Sequence, residues 1–433
     1  MTGFVKTDVS SYTFNGTSLT AVTDGDYPAL TVPGVAYLNG RVYVMEPDGT
    51  ISHSDEDDFT SWDALNFVTA GFEPDRGICL ARLTEYIVAY GEYTTEFFFD
   101  AQNPTGAVIS VVPNATLMIG AVSGTSVQQI EGGLIWLAQQ RGLGGSIMLK
   151  KFVAVLRGTQ YEKVSTEDID RILVNNDTSV VSSGLVTKDG HEFYILTLVV
   201  AGITLTFDLQ SGTWAQWTKS VTTSAKTVAS LTQSNGLATG VVSAGHGFSD
   251  GDPVRVSGAT PSAYNVLENV TVPNATSFTY PVNATISTVA SGSITAQGWS
   301  AAAFDVVASC RFGEYQLLQS RADGVIYYID LSNTSDDGAP IDSLIRTPIF
   351  DGGSNARKRQ ADCALIGDQV SSQALIRWSD DDYRSFGSYK RVYLHTDRPH
   401  TTRGGEFKRR SYDIRHTSSA QARFTELEID FAG

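Results

Sequence analysis

The sequence lacks the features that mark membrane proteins and disulfide-rich secreted proteins. No apolar run approaches the roughly 18 residues that a membrane-spanning helix needs. The start of the chain also lacks the apolar core of a signal peptide, so we expect neither a membrane span nor secretion by that route. Cys79, Cys310 and Cys363 are too few and too widely spaced for a disulfide scaffold, which predicts buried structural thiols and is compatible with a reducing compartment.

Residue patterns that carry catalysis are equally scarce. The 6 histidines show no His-Glu-x-x-His or other close metal-ligand spacing. No Gly-x-Ser-x-Gly turn is present to expose a serine nucleophile. The acidic run Asp380, Asp381 and Asp382 could attract a cation, but three consecutive side chains on a turn rarely converge on one ion. We therefore predict no catalytic residues, no metal and no cofactor.

Positive charge is scarce over most of the chain. The net charge is -16, and residues 1–340 hold 16 Lys and Arg against 34 Asp and Glu, whereas residues 341–433 hold 15 against 13. Affinity for nucleic acid is largely electrostatic and is built from clustered Lys and Arg, so an acidic body argues against tight DNA binding. Such a body suits a surface that DNA passes without sticking; alternatively, the charge serves only solubility.

Strand pairs with a Gly-centred turn recur along the whole chain. The clearest surround Asn39-Gly40 and Asp189-Gly190, which are strong signals for two-residue hairpin loops. Hairpins spread so evenly favour an all-β fold with a β-propeller-like body of about six blades, complete or incomplete, over a single sandwich. The blade repeat is degenerate, so the number of blades stays approximate.

The composition changes between residues 219 and 298, where charged residues become rare. This segment predicts an inserted small β-barrel or sandwich, which divides the propeller body into residues 1–218 and 299–433. Its sequence Gly245-His246-Gly247-Phe248, followed by Gly251-Asp252-Pro253-Val254, resembles a module common in phage structural proteins. In such proteins the module usually serves decoration or contact rather than chemistry.

A second motif lies near the C-terminus. Residues 376–387 resemble the Asp-box hairpin of sialidases, with Tyr383 where that box has its turn glycine. In sialidases the box is a structural mark of the propeller and catalysis resides elsewhere, so the resemblance favours a propeller-like hairpin rather than an enzyme.

Eight segments together resemble one family, the tail hub or nozzle proteins of short-tailed phages, also called packaged-DNA stabilisation proteins. Within them, the spacing of Phe59, Trp62 and Leu65 predicts one short turn that buries three large apolar groups. The resemblance covers most of the chain outside the insertion. The segments are residues 12–24, 37–44, 52–67, 73–75, 90–98, 135–138, 212–217 and 377–381.

The resemblance implies a structural role without enzymatic activity. It implies a homo-oligomer, a hexamer, that lies below the portal and adaptor rings, extends the channel for double-stranded DNA without sequence specificity and helps to retain packaged DNA. It also implies docking surfaces for tail fibres or spikes and for a distal needle or plug, in a virion tail assembled in the host cytoplasm. Further strands usually precede the first matching segment in that family, which here predicts a short or open propeller whose free edge is completed by a neighbouring chain or by the C-terminal segment.

Two sets of charged residues are candidates for sites in such an assembly. Acidic loops are candidates for lining the DNA channel, where repulsion would reduce sticking. Basic runs near the C-terminus are candidates for an assembly surface that faces an acidic neighbour, with direct DNA contact as the alternative. The channel candidates are Asp55, Glu56, Asp57, Asp58, Asp380, Asp381 and Asp382, and the assembly candidates are Arg357, Lys358, Arg359, Lys408, Arg409 and Arg410.

Two other functions fit an all-β chain of this kind. A propeller glycosidase or depolymerase acting on host polysaccharide would need two carboxylates about 5 to 10 Å apart in a cleft, a distance that sequence cannot supply. A carbohydrate-binding adhesin would use the module at residues 219–298 as its contact domain.

Overall fold

The computed structural model describes residues 3–7, 10–142, 149–188, 190–330, 333–418 and 420–432. The chain divides into two compact units, Met1–Thr218 with Ala303–Asp330, and Lys219–Ala302 with Leu331–Gly433. We call them the propeller unit and the sandwich unit. The predicted domain boundaries at residues 218 and 298 stay a prediction.

The described residues of the propeller unit form six antiparallel sheets in chain order, and the first three come from residues 3–111. Sheet 1 is formed by Gly3–Lys6, Ser11–Phe14 and Leu19–Ala21. Sheet 2 is formed by Ala36–Leu38, Arg41–Met45, Thr50–Asp55 and Asp58–Thr69. Sheet 3 is formed by Gly77–Leu83, Tyr86–Gly91, Thr95–Asp100 and Ile109–Val111.

The other three sheets follow, with one short α-helix at Glu167–Asn175 and a 3-10 turn at Gly124–Ser126. Sheet 4 is formed by Gly120–Ala121, Gln128–Ile130, Gly133–Gln140, Lys150–Arg157 and Gln160–Lys163. Sheet 5 is formed by Val181–Lys188, His191–Leu198, Ile203–Asp208 and Trp214–Thr222. Sheet 6 is formed by Val306–Phe312, Tyr315–Ser320 and Ile326–Ile329.

Each sheet shares a hydrophobic core with the next sheet along the chain. Trp62 joins sheets 1 and 2 through Phe4, and Phe98 lies in the core between sheets 2 and 3. Trp136 is fully buried between sheets 3 and 4, and its indole Nε1 donates a hydrogen bond to the Gly120 carbonyl at 3.1 Å. Two further clusters join sheets 4 to 5 and 5 to 6. This face-to-face burial between successive small sheets is the packing of propeller blades, so the predicted all-β, propeller-like fold is confirmed.

The hairpin around Asn39-Gly40 shows why turn chemistry was informative. Both residues adopt left-handed backbone angles, with φ of 48° and 79°, which a type I′ turn requires and which Asn and Gly tolerate best. Gly190 likewise has a φ of 81° in the second predicted hairpin, whose Asp189 lies outside the described residues. The predicted short turn at Phe59, Trp62 and Leu65 is wrong: these residues lie on the long strand Asp58–Thr69, and Leu65 is 73% exposed.

The first part of the sandwich unit is the inserted module. Two small sheets enclose a core that includes Tyr264, Phe278 and Tyr280, all nearly inaccessible to solvent. A 3-10 turn at Ser262–Tyr264 links two of the strands. The strands are Lys226–Thr227, Ser230–Ser234, Leu237–Val241, Pro253–Ser257, Leu267–Asn269, Thr271–Asn274, Ser277–Pro281 and Thr295–Ala303.

The C-terminal strands complete the sandwich unit and contact the module through polar groups. Arg391 donates to Glu268 at 2.8 Å and to the Asn269 carbonyl at 2.9 Å, and Thr417 donates to the Asn269 side chain at 2.8 Å. The module is therefore fixed to the C-terminal region by specific hydrogen bonds. The strands are Ser335–Asp336, Ala339–Pro340, Ser343–Arg346, Lys358–Gly367, Gln373–Ser379, Lys390–Tyr393, His400–Phe407, Ser411–His416 and Phe424–Ala432.

Candidate functional surfaces

The acidic loop at residues 55–58 forms the hairpin turn between the last two strands of sheet 2. Asp58 accepts hydrogen bonds from the Thr60 amide at 2.9 Å and hydroxyl at 2.6 Å, which lowers the pKa of the Asp58 carboxyl. Asp55 accepts from the Ser61 hydroxyl at 2.7 Å. The two outer carboxylates therefore hold the hairpin, whereas Glu56 and Asp57 lie at its exposed tip.

The acidic surface at the tip includes a carboxylate from outside the loop. The Asp57 amide donates to the Gly40 carbonyl at 2.8 Å, so the tip lies against the Asn39-Gly40 turn. The Asn39 side chain in turn donates to Asp100 of sheet 3 at 2.6 Å. Asp100 thus extends the acidic surface, which sequence reasoning missed because the residues are far apart in the chain. Arg41 pairs with Glu56 at 3.0 Å, so one cation is also present.

The acidic run Asp380, Asp381 and Asp382 has a different environment in the sandwich unit. Asp380 forms a paired contact with Arg410 at 2.6 and 2.8 Å, and Asp382 lies 3.3 Å from Arg409. Asp381 accepts from the hydroxyl and amide of Ser385 and from another serine hydroxyl, which lowers the pKa of its carboxyl to about 2. These carboxylates stabilise a turn and compensate arginines; their position in a channel stays a prediction.

The six basic residues proposed as one assembly surface differ in their exposure. Lys358 and Arg410 are buried, with exposures of 3% and 1%, so their assignment to an exposed surface is corrected. The Lys358 ammonium donates to three backbone carbonyls, those of residues 354, 356 and 408. Arg410 lies between the rings of Trp378 and Phe407 and also donates to the Gly404 carbonyl at 2.8 Å. Both cations therefore fasten loops of their own chain.

The remaining four basic side chains are exposed. Arg357 pairs with Glu406 at 3.2 Å with both side chains more than half exposed, an arrangement that contributes little to stability. Arg409 forms an exposed ion pair with Asp382 at 3.3 Å. Arg359 and Lys408 are also exposed. An assembly role for Arg357, Arg359, Lys408 and Arg409 stays a prediction.

The three cysteines are all free and do not share one environment. Cys79 and Cys363 are buried, and burial raises the pKa of each thiol to about 12, which makes them inert. Cys310 is exposed, so the prediction that all three thiols are buried is wrong for this residue. It lies on sheet 6.

Cavities and ion sites give little support for chemistry. One cavity has a volume of about 360 Å³ and is lined by seven residues, none of which carries a carboxylate. A second cavity, of about 40 Å³, has Asp368 and Asp397 in its lining but is too small for a sugar ring. Within the part of the chain that the structure describes, no group of three His, Cys, Asp or Glu side chains could hold a metal ion. No helix in that part is long and apolar enough to cross a membrane. The residues that line the cavity of about 360 Å³ are Arg82, Leu83, Thr84, Gln129, Ile130, Gly132 and Gly133.

The net charge is confined to one unit. The propeller unit has 13 Lys and Arg against 29 Asp and Glu, a net charge of -16, whereas the sandwich unit has 18 of each sign and a net charge of zero. The uneven charge noted in the sequence therefore follows the structural division. The excess of negative charge therefore lies on the propeller unit.

Successive small sheets that pack face to face define a fold of the β-propeller class. The chain belongs to the phage stabilisation family described as Bacteriophage P22 Gp10, beta-propeller, whose model matches residues 4–240. The predicted membership in the tail hub family of short-tailed phages is thereby confirmed. The protein has a tail hub, DNA-stabilisation role and is a component of the virion tail.

Comparisons with solved structures give only weak similarities. A computationally designed protein, Ika8, is 12% identical over 74% of this chain and 78% of its own, with a TM-score of 0.31. A chain of the mitotic checkpoint complex is 12% identical over 75% and 84%, with a TM-score of 0.34. An alpha-L-arabinofuranosidase from Clostridium thermocellum is 12% identical over 48% and 82%, with a TM-score of 0.28. Such low scores carry no argument about function, and no curated protein matched the sequence.

Proposed function

We propose that the protein is the tail hub, or nozzle, that forms a homohexameric ring below the portal and adaptor of a short-tailed phage. The ring extends the DNA channel, retains packaged double-stranded DNA and conducts it without sequence specificity during ejection. It docks tail fibres or spikes and a distal needle or plug, after assembly in the host cytoplasm. Family membership over residues 4–240 carries the proposal, and the concentration of the whole net charge on the matched propeller unit supports it.

Electron microscopy of the purified protein, alone and mixed with its portal–adaptor complex, tests the ring. We expect six-fold rings with an open channel, either free or only on the adaptor. Monomers that do not bind the adaptor would contradict the proposal and favour an adhesin or a glycosidase. Cleavage or binding of host polysaccharide by the isolated chain is the matching assay for those two alternatives.

We place the acidic loop at residues 55–58 on the wall of the channel. At this loop Arg41 pairs with Glu56 alone and Asp100 adds a further carboxylate, whereas Asp380 and Asp382 are each paired with an arginine. The proposed lining therefore rests on the loop of sheet 2, and repulsion between its carboxylates and the phosphates lowers sticking during DNA passage.

Neutralising the tip of this loop with Glu56→Gln and Asp57→Asn is expected to slow DNA release severalfold without preventing assembly. The hairpin should survive because the carboxylates of Asp55 and Asp58 are kept. Ejection can be followed by the fluorescence of released DNA after the phage is triggered.

The matched control, Glu162→Gln with Glu167→Gln, removes the same two charges from exposed positions elsewhere in the propeller unit. Unchanged release in the loop variant, or equal slowing in the control, would contradict the channel position.

The protein carries out no enzymatic reaction in this proposal. A glycosidase would need two convergent carboxylates in a cleft. The cavity of about 360 Å³ has no carboxylate in its lining, and the cavity that Asp368 and Asp397 line has a volume of only about 40 Å³, which is too small for a sugar ring. The structural character of the family supports the same conclusion.

A further inference from the structure

Among the residues that the structure describes, sheet 6 is covered on one face only. Leu318 is buried against Val186 and Ile195 of sheet 5, and the Ser309 hydroxyl accepts a hydrogen bond from the Leu185 amide at 2.9 Å. Ser309 and Leu318 are paired across neighbouring strands, so they belong to the same face. This inner face is therefore packed as a propeller blade should be.

The opposite face of sheet 6 is apolar and exposed. Side chains alternate along a strand, so the neighbours of Ser309 and Leu318 point away from sheet 5. Phe312 is 72% exposed, Ile326 64% and Tyr328 57%, and Tyr315 packs edge-to-face on Tyr328 with ring centroids 5.5 Å apart. We call this the outer face of sheet 6. Its members are Ala308, Cys310, Phe312, Tyr315, Leu317, Gln319, Ile326 and Tyr328, none of which is charged.

Sheet 1, at the other end of the series, has the same character. Its inner face contacts sheet 2, where the ring of Phe4 lies 6.5 Å from that of Trp62. On the opposite face Leu19 is 60% exposed, and Val5 and Phe14 are each 40% exposed. This outer face of sheet 1 is also free of charged side chains; its members are Gly3, Val5, Tyr12, Phe14, Leu19 and Ala21.

The exposed area is in the range of a protein interface. Large apolar side chains bury about 150–250 Å² each, so the exposed fractions of the four large side chains on the outer face of sheet 6 sum to roughly 500 Å². A stable interface uses about 800 Å² per partner, and patches of this size on a single chain mark interaction sites. The outer face of sheet 6 therefore supplies most of one side of an interface.

Charge identifies a second copy of this chain as the occupant. The propeller unit has a net charge of -16, so the propeller units of two copies repel each other over most of their surface. Repulsion is smallest where both contacting faces carry no charge. Within the described part of the chain, two such faces lie on the first and the last sheet of the propeller unit. A basic partner would instead select the acidic surfaces.

We propose that the outer face of sheet 6 in one copy packs against the outer face of sheet 1 in the next copy. Because the two faces differ, this contact is heterologous, and its repetition closes a ring when the rotation allows. The proposal rests on the ring of the proposed function and deepens it by assigning the surfaces that join neighbouring copies.

Cys310 reports on this contact in the unaltered protein. It is the one exposed thiol, since Cys79 and Cys363 are buried and inert, and it lies on the outer face of sheet 6. Reaction with a maleimide is measured over a dilution series, with rings counted by electron microscopy in the same samples. We expect assembly to slow labelling by about tenfold or more, because modification needs access to the sulfur, and dilution to restore it.

The outcomes separate this inference from the proposed function. Rings in which Cys310 stays fully reactive overturn the inference and leave the ring standing. Protection that does not depend on protein concentration also overturns it, because the two faces would then close on each other within one chain. Failure to form rings, alone or on the portal–adaptor complex, contradicts the proposed function itself.

A variant with Phe312→Ser and Tyr315→Ser provides the second test. Both side chains are more than half exposed, so the chain should fold normally. Loss of two aromatic anchors is expected to raise the dissociation constant of the assembly by about 30-fold or more. The control Phe72→Ser alters an aromatic side chain that is 62% exposed elsewhere in the propeller unit. Unchanged assembly in the double variant, or equal weakening in the control, would overturn the inference.

Discussion

Replacing Arg410 with alanine is expected to destabilise the sandwich unit by about 2–4 kcal/mol, because its buried hydrogen-bond acceptors lose their donor, although its ion-pair partner Asp380 is 41% exposed. The guanidinium is 1% exposed, pairs with Asp380 and donates to Gln360 at 2.6 Å. Its removal also leaves a cavity between two aromatic rings. Denaturant unfolding measures the loss, with hydrogen exchange in the strand Gln373–Ser379 as a local probe.

The neighbouring substitution Arg409→Ala is the matched control. Arg409 has the same charge, but its side chain is 47% exposed and its partner Asp382 is 49% exposed. Exposed pairs of this kind contribute about 0–1 kcal/mol, so we expect little change. A loss below about 1 kcal/mol for Arg410→Ala, or similar losses for both variants, would show that Arg410 does not stabilise the unit in this way.

Replacing Gly34 with alanine is expected to destabilise the propeller unit by about 3 kcal/mol or more, from left-handed strain and overpacking together. Gly34 has a φ of 88°, and an added Cβ would lie 2.0 Å from the Leu80 carbonyl oxygen. The segment is fixed from both sides, because Val32 donates to the Met45 carbonyl at 2.8 Å and Leu80 donates to the Pro33 carbonyl at 3.1 Å. The added methyl group would therefore disturb the junction of sheets 2 and 3. The resulting loss in the free energy of unfolding is measured by urea denaturation.

Gly16 offers the comparison that isolates the clash from the backbone strain. Its φ of 96° is similarly left-handed, but nothing lies within 4 Å of an added Cβ. Gly16→Ala should therefore lose only about 1–2 kcal/mol. If both variants lost the same amount, the close approach to Leu80 would contribute nothing.

Turn chemistry explains why the fold class could be predicted from the sequence. Asn-Gly and Asp-Gly pairs specify hairpins through backbone angles that few other residues tolerate, so the information is local. The prediction failed at Phe59, Trp62 and Leu65, because a spacing of three was interpreted as a turn although the residues lie on an irregular strand. Ser52 pairs with Phe67 but Ser54 with Trp62, so the register between those pairs is shifted.

The charged sites were harder to predict because their surroundings come from distant strands. Within the run 408–410, the exposed Arg409 and the buried Arg410 are identical in the sequence. Only pairing between strands places Arg410 against Gln360, and only the contact between sheets 2 and 3 brings Asp100 to the acidic loop. No local pattern carries this information.

The separation of sheet 6 from sheet 5 along the chain affects the order of folding during synthesis. Residues that join the two sheets, such as Ser182 with Asp305 and Leu185 with Ser309, are 123 and 124 positions apart. At a synthesis rate of about 5–20 residues per second, the apolar face of sheet 5 waits roughly 6 to 25 s on the ribosome before its partner emerges. The intervening module of residues 219–302 has time to fold first. The nascent chain is therefore most vulnerable to aggregation and to chaperone capture during this interval.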